Sequence, residues 1–362
     1  MASVLSSPVV DTIVSAARLV LSPLFTGPIL LSLTYRPDTV RHVLGIVAEH
    51  LPQWAAASLS SLPHPPAITV LRVLVALGLL RTANRALNTM AHNSWRLTAA
   101  PGWDWPNEIA VVTGGSSGIG KGIVERLAAL GVRVAVLDIQ DLPKDLQGNA
   151  RVRFFRCDVT SSESVAAAAD AVRRELGHAS ILVNNAGIAR TAPILQADEA
   201  FLRRILGVNL MSMWFTTQQF VPHMVQRGKG HVVTLASIAS FVALATAADY
   251  SATKAGALAF HEALASELKH QHKAPHVLTT VVHPNFVRTP LVQSFEGRLQ
   301  RAGVRMLTSD RVADEVVAQI KSRRGGQLVI PSSATGLSGI RGWPTWLQEF
   351  VRDRVASGAV KP

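Results

Sequence analysis

The stretch Ile109-Ala-Val-Val-Thr113-Gly-Gly-Ser-Ser-Gly118-Ile-Gly120 is a β-branched run that passes through a glycine-rich loop into an apolar helical pattern. Glycines let the backbone turn tightly and approach a pyrophosphate. The amino end of the following helix directs N–H groups and a partial positive charge at the same place. A loop between a strand and a helix is the context a nucleotide site requires, although extra residues between the first and last glycines depart from the standard dinucleotide fingerprint. Gly114, Ser116, Ser117, Gly118, Ile119 and Gly120 are the candidate contacts.

Outward from this loop, short β-branched runs alternate with helical patterns. Strands are predicted at Ile109 to Thr113, Val132 to Asp138, Val152 to Cys157, Ile181 to Asn184, His231 to Ala236, Val277 to Val282 and Gln327 to Ile330. Helices between them predict right-handed crossovers and a parallel, doubly wound sheet. The second strand ends in Asp138, about twenty residues beyond the loop, where a carboxylate accepts hydrogen bonds from a ribose diol and repels a 2′-phosphate. No Arg or Lys lies inside the loop, which favours NAD, while nearby Lys144 keeps NADP open. In Cys157-Asp158-Val159 the carboxylate of Asp158 is placed to meet an adenine amino group. Asn185, Ala186 and Gly187, in Asn184-Asn-Ala-Gly187, permit backbone contact with the cofactor.

In Tyr250-Ser-Ala-Thr-Lys254 a phenol and an ammonium lie four positions apart, on one helical face. A tyrosine with a pKa of about 10 carries protons poorly near neutrality unless a cation favours the phenolate. Lys254 is that cation. Ser237 follows the run His231-Val-Val-Thr-Leu-Ala236, so its hydroxyl emerges at a strand's carboxyl end, where open α/β sheets bind ligands.

The 362 residues suit one nucleotide-binding domain with an appendage. Hydrophobic residues make up 48% and charged residues 17%, so part of the chain should meet lipid or an apolar partner. The net charge of +12 points to an anionic membrane. With no long basic run, zinc spacing or aromatic RNA motif, nucleic acid is not expected. No metal site is expected either. The single cysteine, Cys157, excludes an intrachain disulfide and suits a cytosolic catalytic part.

The apolar excess lies in Leu19 to Leu33, which contains Pro23, Gly27 and Pro28, and in Ala67 to Leu80, which contains Arg72. Neither is an unbroken run of about 20 apolar residues, so kinked, in-plane or hairpin insertion stands beside true crossing. A helical pair folded onto the domain itself or onto a second copy is the alternative. Arg36, Arg41, Arg81, Arg85 and Arg96 follow these stretches, where they suit headgroups and a cytosolic orientation. Trp95, Trp103 and Trp105 mark a turn-rich boundary, suited either to the interface or to packing under the domain. No basic residue precedes the first run and no small-residue cleavage site follows it, so a cleaved signal peptide is not expected. The expected organisation is a hydrophobic membrane-associating helical extension over 1–106, a catalytic domain over 107–331 and an amphipathic tail over 332–362. In that tail, Trp343-Pro-Thr-Trp-Leu-Gln-Glu-Phe-Val-Arg-Asp-Arg354 suits a membrane surface or docking on the domain. Leu291, Val292, Phe295 and Met306 make the segment from Thr289 to Ser309 apolar, either to close over a lipid-like substrate or to pack as a surface helix.

With the glycine loop, Asn184-Asn-Ala-Gly187, Ser237 and Tyr250-Ser-Ala-Thr-Lys254 in this order, the chain resembles the short-chain dehydrogenase/reductase family over roughly residues 107 to 331. Leu137-Asp-Ile139, Asp249-Tyr250 and Phe260-His-Glu262 leading to Glu267-Leu-Lys269, together with the apolar extension, are similar to the membrane-bound retinol dehydrogenase 10 and 17β-hydroxysteroid dehydrogenase 11 group. The resemblance implies a Rossmann-type α/β fold with a seven-stranded parallel sheet. It implies NAD(P)-dependent interconversion of a hydrophobic alcohol, retinoid, steroid or lipid-like, and its carbonyl.

Position by position, it implies Tyr250 as general acid/base, Ser237 as hydrogen-bond partner of the substrate oxygen, and Lys254 as the group that lowers the tyrosine pKa and holds the nicotinamide ribose. Asn209, in Gly207-Val-Asn209-Leu, positions a water linking Lys254 to solvent. Where the family carries Pro-Gly after the sixth strand, this chain has Pro284-Asn285, followed by Val287 and Thr289 as nicotinamide contacts. His283 beside them faces the substrate, or is a packed or solvated histidine. A homodimer through the helix beginning at Tyr250, and a membrane location at the endoplasmic reticulum or a lipid droplet with the catalytic domain in the cytosol, are further implications. The alternatives are an NADPH-dependent ketoreductase of specialised or fatty-acid metabolism, and a catalytically idle NAD-binding membrane scaffold.

Overall fold

Proline has no N–H to carry a helix through, and this divides the amino-terminal apolar region. In the computed structural model, which describes residues 8–50, 52–53, 65–301 and 303–359, that region forms α1 (Pro8–Val20), α2 (Pro23–Tyr35) and α3 (Pro37–Ala48). Pro23 and Pro37 open their helices, where the missing donor costs nothing. The second apolar stretch does better than its sequence suggested. It lies within α4 (Pro65–His92), 28 residues with a mean hydropathy of 1.6 in its most apolar window and 6% of that window buried. At about 1.5 Å per residue such a helix exceeds the roughly 30 Å hydrocarbon core of a bilayer. Arg72 interrupts the run without ending the helix. By length and composition α4 is the one helix among the described residues fit to cross a membrane. Gly78 on α4 lets the α1–α2 turn come close, since a Cβ there would stand 2.5 Å from the Leu21 carbonyl oxygen.

Pro8–Thr89 form one compact unit, and the chain from Met90 onward belongs to a second. Residues just past this division are already bonded to the α/β part. Asn93 Oδ1 accepts from Gly325 N (3.3 Å), and Ala100 N donates to Arg323 O (2.8 Å). Trp103 and Trp105, with ring centroids 5.4 Å apart, pack against the sheet's core, whereas Trp95 is exposed.

The second unit alternates β1 (Ile109–Thr113), α5 (Gly118–Ala129), β2 (Arg133–Asp138), β3 (Val152–Arg156), α6 (Ser162–Glu175), β4 (Ile181–Asn184), α7 (Glu199–Leu206), α8 (Ser212–Arg227), β5 (Gly230–Leu235) and α9 (Ala248–His270). It continues with β6 (Val277–Pro284), β7 (Val287–Arg288), α10 (Glu296–Arg301), β8 (Leu307–Thr308), α11 (Ser309–Ser322), β9 (Gly326–Ile330) and α12 (Thr345–Ala359). The main sheet has seven strands in the order β3-β2-β1-β4-β5-β6-β9, all parallel.

Period-two alternation gives each strand two apolar faces. Ala110, Val112, Val134 and Val136 pack with Ile123 and Leu127 of α5 and with Val312, Val316 and Ile320 of α11. On the opposite face, Val111, Ala135 and Leu137 belong to a cluster with α6, α8 and α9. The strand order reverses between β1 and β4, and at that switch point the carboxyl ends of both strands open a crevice.

Small departures from the predicted strands have local causes. β5 starts at Gly230, one residue early, because Gly230 pairs with Val277 of β6, and a Cβ there would lie 2.6 Å from Met224. β6 runs on to Pro284 because Ile330 of β9 pairs with it.

Candidate active site

The β1–α5 turn is folded by close approach. A Cβ on Gly120 would stand 2.1 Å from Gly114 O and 2.5 Å from Asn185 Nδ2, and Gly118 adopts a φ of 54°. Asn185 holds the turn from β4, its Nδ2 donating to Thr113 O (2.9 Å) and Gly114 O (3.0 Å). Asp138 braces it from β2, since Oδ2 accepts Ser116 N (3.0 Å) and Oδ1 accepts Gln140 N (2.9 Å). Ser117 caps α5 without a side-chain hydrogen bond. The first amides of α5 are thus left to an anion.

One cavity of about 560 Å³ runs along this edge. Gly114, Ser117, Gly118, Ile119, Asp138, Asp158, Val159, Asn185, Ala186, Gly187, Val287 and Thr289 line it, as do Ser237, Tyr250 and Lys254. Three sequence-predicted site residues stand outside the lining. Ser116 turns its hydroxyl to Gln140 O (2.9 Å), and Gly120 lies beneath the loop. Asn209, fully buried in the π-helical turn Gly207–Met211, accepts Ile188 N on Oδ1 (2.8 Å) and donates from Nδ2 to Ile188 O (2.9 Å). It splints the backbone after Gly187. A Cβ placed on Gly187 would lie 3.6 Å from Asn209 Oδ1 and 3.8 Å from Lys254 Nζ, so the three meet there. Asp158 is exposed, and its Oδ1 accepts both the Thr160 amide (2.9 Å) and the Thr160 hydroxyl (2.7 Å).

Ser237 lies two residues past the end of β5 and caps the turn Ile238–Ser240, its Oγ accepting Ala239 N (3.1 Å). Tyr250 and Lys254 lie on the first turns of α9. The Lys254 ammonium donates to Leu235 O (2.7 Å) and stands 5.6 Å from the Tyr250 ring centroid. Burial lowers the Lys254 pKa to about 8. Burial also pushes the Tyr250 phenol above its ordinary value, with a hydrogen bond from the Ser237 hydroxyl opposing that rise. Thr246, β-branched with φ at 64°, precedes α9, and Ala192 N donates to its carbonyl (2.8 Å). The loop after β4 is thereby tied to the entrance of the tyrosine helix.

Leu244, Leu291, Val292, Phe295, Leu299 and Val355 give the cavity an apolar wall. Arg298 of α10 donates to Thr191 Oγ1, so the 290–301 segment closes against the β4 loop. Met306, expected in this wall, is not part of it. His283 is fully buried between the strands and does not line the cavity. The sequence had left its position open, and the packed one is observed.

Residues 108–299 match the family described as short chain dehydrogenase. Dehydrogenase RED2 of Cochliobolus heterostrophus is 36% identical over 204 residues, 54% of this chain and 77% of that protein. Estradiol 17-beta-dehydrogenase 11 of Macaca fascicularis is 33% identical over 193 residues, which cover 52% of this chain but only 64% of that protein. A short chain dehydrogenase/reductase from Burkholderia phymatum, solved in complex with NAD, shares the fold at a TM-score of 0.62 and 23% identity, over 68% of this chain and 97% of that one.

Proposed function

The chain belongs to the short chain dehydrogenase family, and from that premise we propose that it oxidises a lipophilic primary or secondary alcohol, retinoid, steroid or lipid-like, to its carbonyl at a membrane, with NAD preferred. Family membership makes it an oxidoreductase acting on CH–OH groups with a nicotinamide cofactor. The preference for NAD rests on Asp138, whose carboxylate faces the cavity with both oxygens already oriented by backbone amides. A 2′-phosphate there would meet like charge.

The carrying observation is that Ser237, Tyr250 and Lys254 share one cavity with an apolar wall. Gly114, Ser117, Gly118, Ile119, Ala186, Gly187, Val287 and Thr289 would hold the dinucleotide, and Asp138 and Asp158 its adenosine end. A nicotinamide held by these residues would supply the hydride acceptor for alcohol oxidation and the hydride donor for carbonyl reduction. Ser237 donates a hydrogen bond to the substrate oxygen and places its proton toward Tyr250. The Tyr250 phenolate takes that proton, and Lys254, still largely an ammonium near neutrality, favours the phenolate against the burial that opposes it. Asn209 keeps the Gly187–Ile188 backbone beside the Lys254 ammonium. Proton transfer by a placed side chain contributes about 10²–10⁴-fold.

The lipophilic substrate is supported by the wall of Leu291, Val292, Phe295 and Val355 and by α4. A membrane-associating extension over 1–106, a catalytic domain over 107–331, a surface-binding tail over 332–362, a homodimer through α9 and residence at the endoplasmic reticulum or a lipid droplet belong to the same reading. The NADPH-dependent ketoreductase is the second reading, for which Lys144, close after Asp138, leaves room. The test is Tyr250→Phe in the full chain. Turnover is expected to fall by about 10²-fold or more while NADH still binds, and turnover near the wild-type rate would refute the assignment.

A further inference from the structure

A buried histidine with both ring nitrogens engaged, directly behind the turn that carries Ser237, is not accounted for by the reaction above. His283 is the penultimate residue of β6 and is fully buried. Its Nδ1 lies 2.9 Å from Ser240 Oγ and 3.2 Å from Ser237 O. Its Nε2 lies 3.2 Å from Gln327 Nε2 on β9. The Ser240 hydroxyl donates to Ser237 O (2.5 Å), and the Phe241 ring lies over the imidazole at 4.3 Å.

The donors and acceptors allow one arrangement. Ser240 spends its proton on the Ser237 carbonyl, so facing Nδ1 it offers only lone pairs. The Gln327 amide nitrogen can only donate. Hence Nδ1 carries the proton and Nε2 accepts, a tautomer assigned from the network. A second proton would set N–H against N–H at Gln327. The other groups around the ring also resist it. Lys254 and His261 approach from α9, and Arg341 Nη2 donates to Ser240 O (3.3 Å) from the segment Ser332–Gly342. Burial first, with Lys254 adding to it against the Ser237 carbonyl bond, lowers the His283 pKa to about 4.

We infer that His283 is a positioning residue, a neutral imidazole oriented by Gln327 that fixes the Ser237–Ser240 turn and so aims the Ser237 hydroxyl. The inference rests on Ser237 acting as the hydrogen-bond partner of the substrate oxygen. It acts through backbone: the Ser237 carbonyl receives Ser240 and His283, while the Ser237 hydroxyl sits 3.5 Å from the carbonyl of Pro284, the residue next to His283.

The experiment uses the full chain and follows kcat, KM and NADH affinity. His283→Phe keeps a planar aromatic ring, though a larger one, and removes the contacts to Ser240, Ser237 and Gln327. It is expected to lower kcat by roughly 10- to 100-fold, as small misplacements of reacting groups do, with KM and NADH affinity near wild type. His283→Asn returns a donor close to the Nδ1 position and is expected to recover most of kcat. Gln327→Glu gives Nε2 a carboxylate and favours the doubly protonated ring, so the ratio of its kcat to the wild-type kcat is expected to fall as the pH is lowered.

A folded His283→Phe enzyme with wild-type kcat, or a kcat ratio in Gln327→Glu that stays constant with pH, would overturn the inference. Should His283→Phe not fold, Ser240→Ala carries the same test, and wild-type kcat in that variant would be equally fatal. Ser237→Ala separates the two levels. If it stays active, the functional reading itself fails; if it is inactive while His283→Phe is unimpaired, only the positioning role does.

Discussion

At the scale of single residues, the site sets charge against burial. Lys254 is almost fully enclosed and bonded to Leu235 O, which holds its ammonium over the Tyr250 ring. Its pKa near 8 lies below the ordinary lysine value, so between about 8 and 10.5 the unfolded chain binds more protons at this position. Stability contributed by Lys254 therefore rises with pH across that window. Below it, folding works against desolvating a charge that catalysis uses. Lys254→Met is accordingly expected to hold or raise the thermal midpoint at pH 7 while abolishing turnover, and a clear loss of stability would contradict this account. Asp138 gives a second residue-level prediction. Asp138→Asn removes charge from the ribose contact, so KM for NAD is expected to rise by about 10-fold or more, the worth of a charge-assisted hydrogen bond, with NADP turnover becoming measurable. An unchanged NAD/NADP ratio would show that the carboxylate does not set the preference.

At the scale of elements, the β1–α5 turn is the least tolerant part. Gly120→Ala forces a methyl onto Gly114 O and Asn185 Nδ2, and overpacking of this kind costs about 1–3 kcal/mol. The expected result is a lower melting temperature with NADH affinity lost, measurable by thermal shift with and without NADH. The strands were legible because β-branched runs and period-two alternation are local signals, and so was the glycine turn between one strand and one helix. What escaped the sequence depends on distant partners. Asn185 was expected to offer its backbone to the cofactor, and nothing local announced that its side chain reaches back to Thr113 and Gly114. Asn209, which the resemblance made a water-positioning residue, also has a structural bond that spacing could not show, its amide holding Ile188. The Ser240–His283–Gln327 chain joins three elements far apart in sequence, so no spacing rule announces it. In the amino-terminal region the proline at Pro23 correctly marked a break. Arg72 misled, because one long exposed side chain can carry its charge away from the helix and leave α4 continuous.

At the scale of the whole molecule, the chain joins a unit with one apolar 28-residue helix to an α/β unit that buries three histidines, two on its sheet and one on α9. Burial lowers His231 and His261 to about 3 and His283 to about 4. All three folded values lie below the ordinary 6.5, so from about pH 4 to 6.5 the unfolded chain binds more protons, and stability rises with pH over that range. Moving from pH 7 to pH 5 is expected to cost on the order of 2 kcal/mol for each histidine, seen as a lower thermal midpoint of the α/β unit. A flat profile would mean that the histidines are not held neutral.

The central claim is that a membrane-attached dehydrogenase oxidises an alcohol drawn from the bilayer. It is tested most directly by placing the full chain in phospholipid vesicles loaded with retinol, a hydroxysteroid or a long-chain secondary alcohol and following NADH formation, with NADP in parallel and Tyr250→Phe as control. The expected result is turnover with NAD on at least one of these alcohols, absent from the variant. Turnover confined to ketone reduction with NADPH, or NADH binding without turnover on any of them, would contradict it.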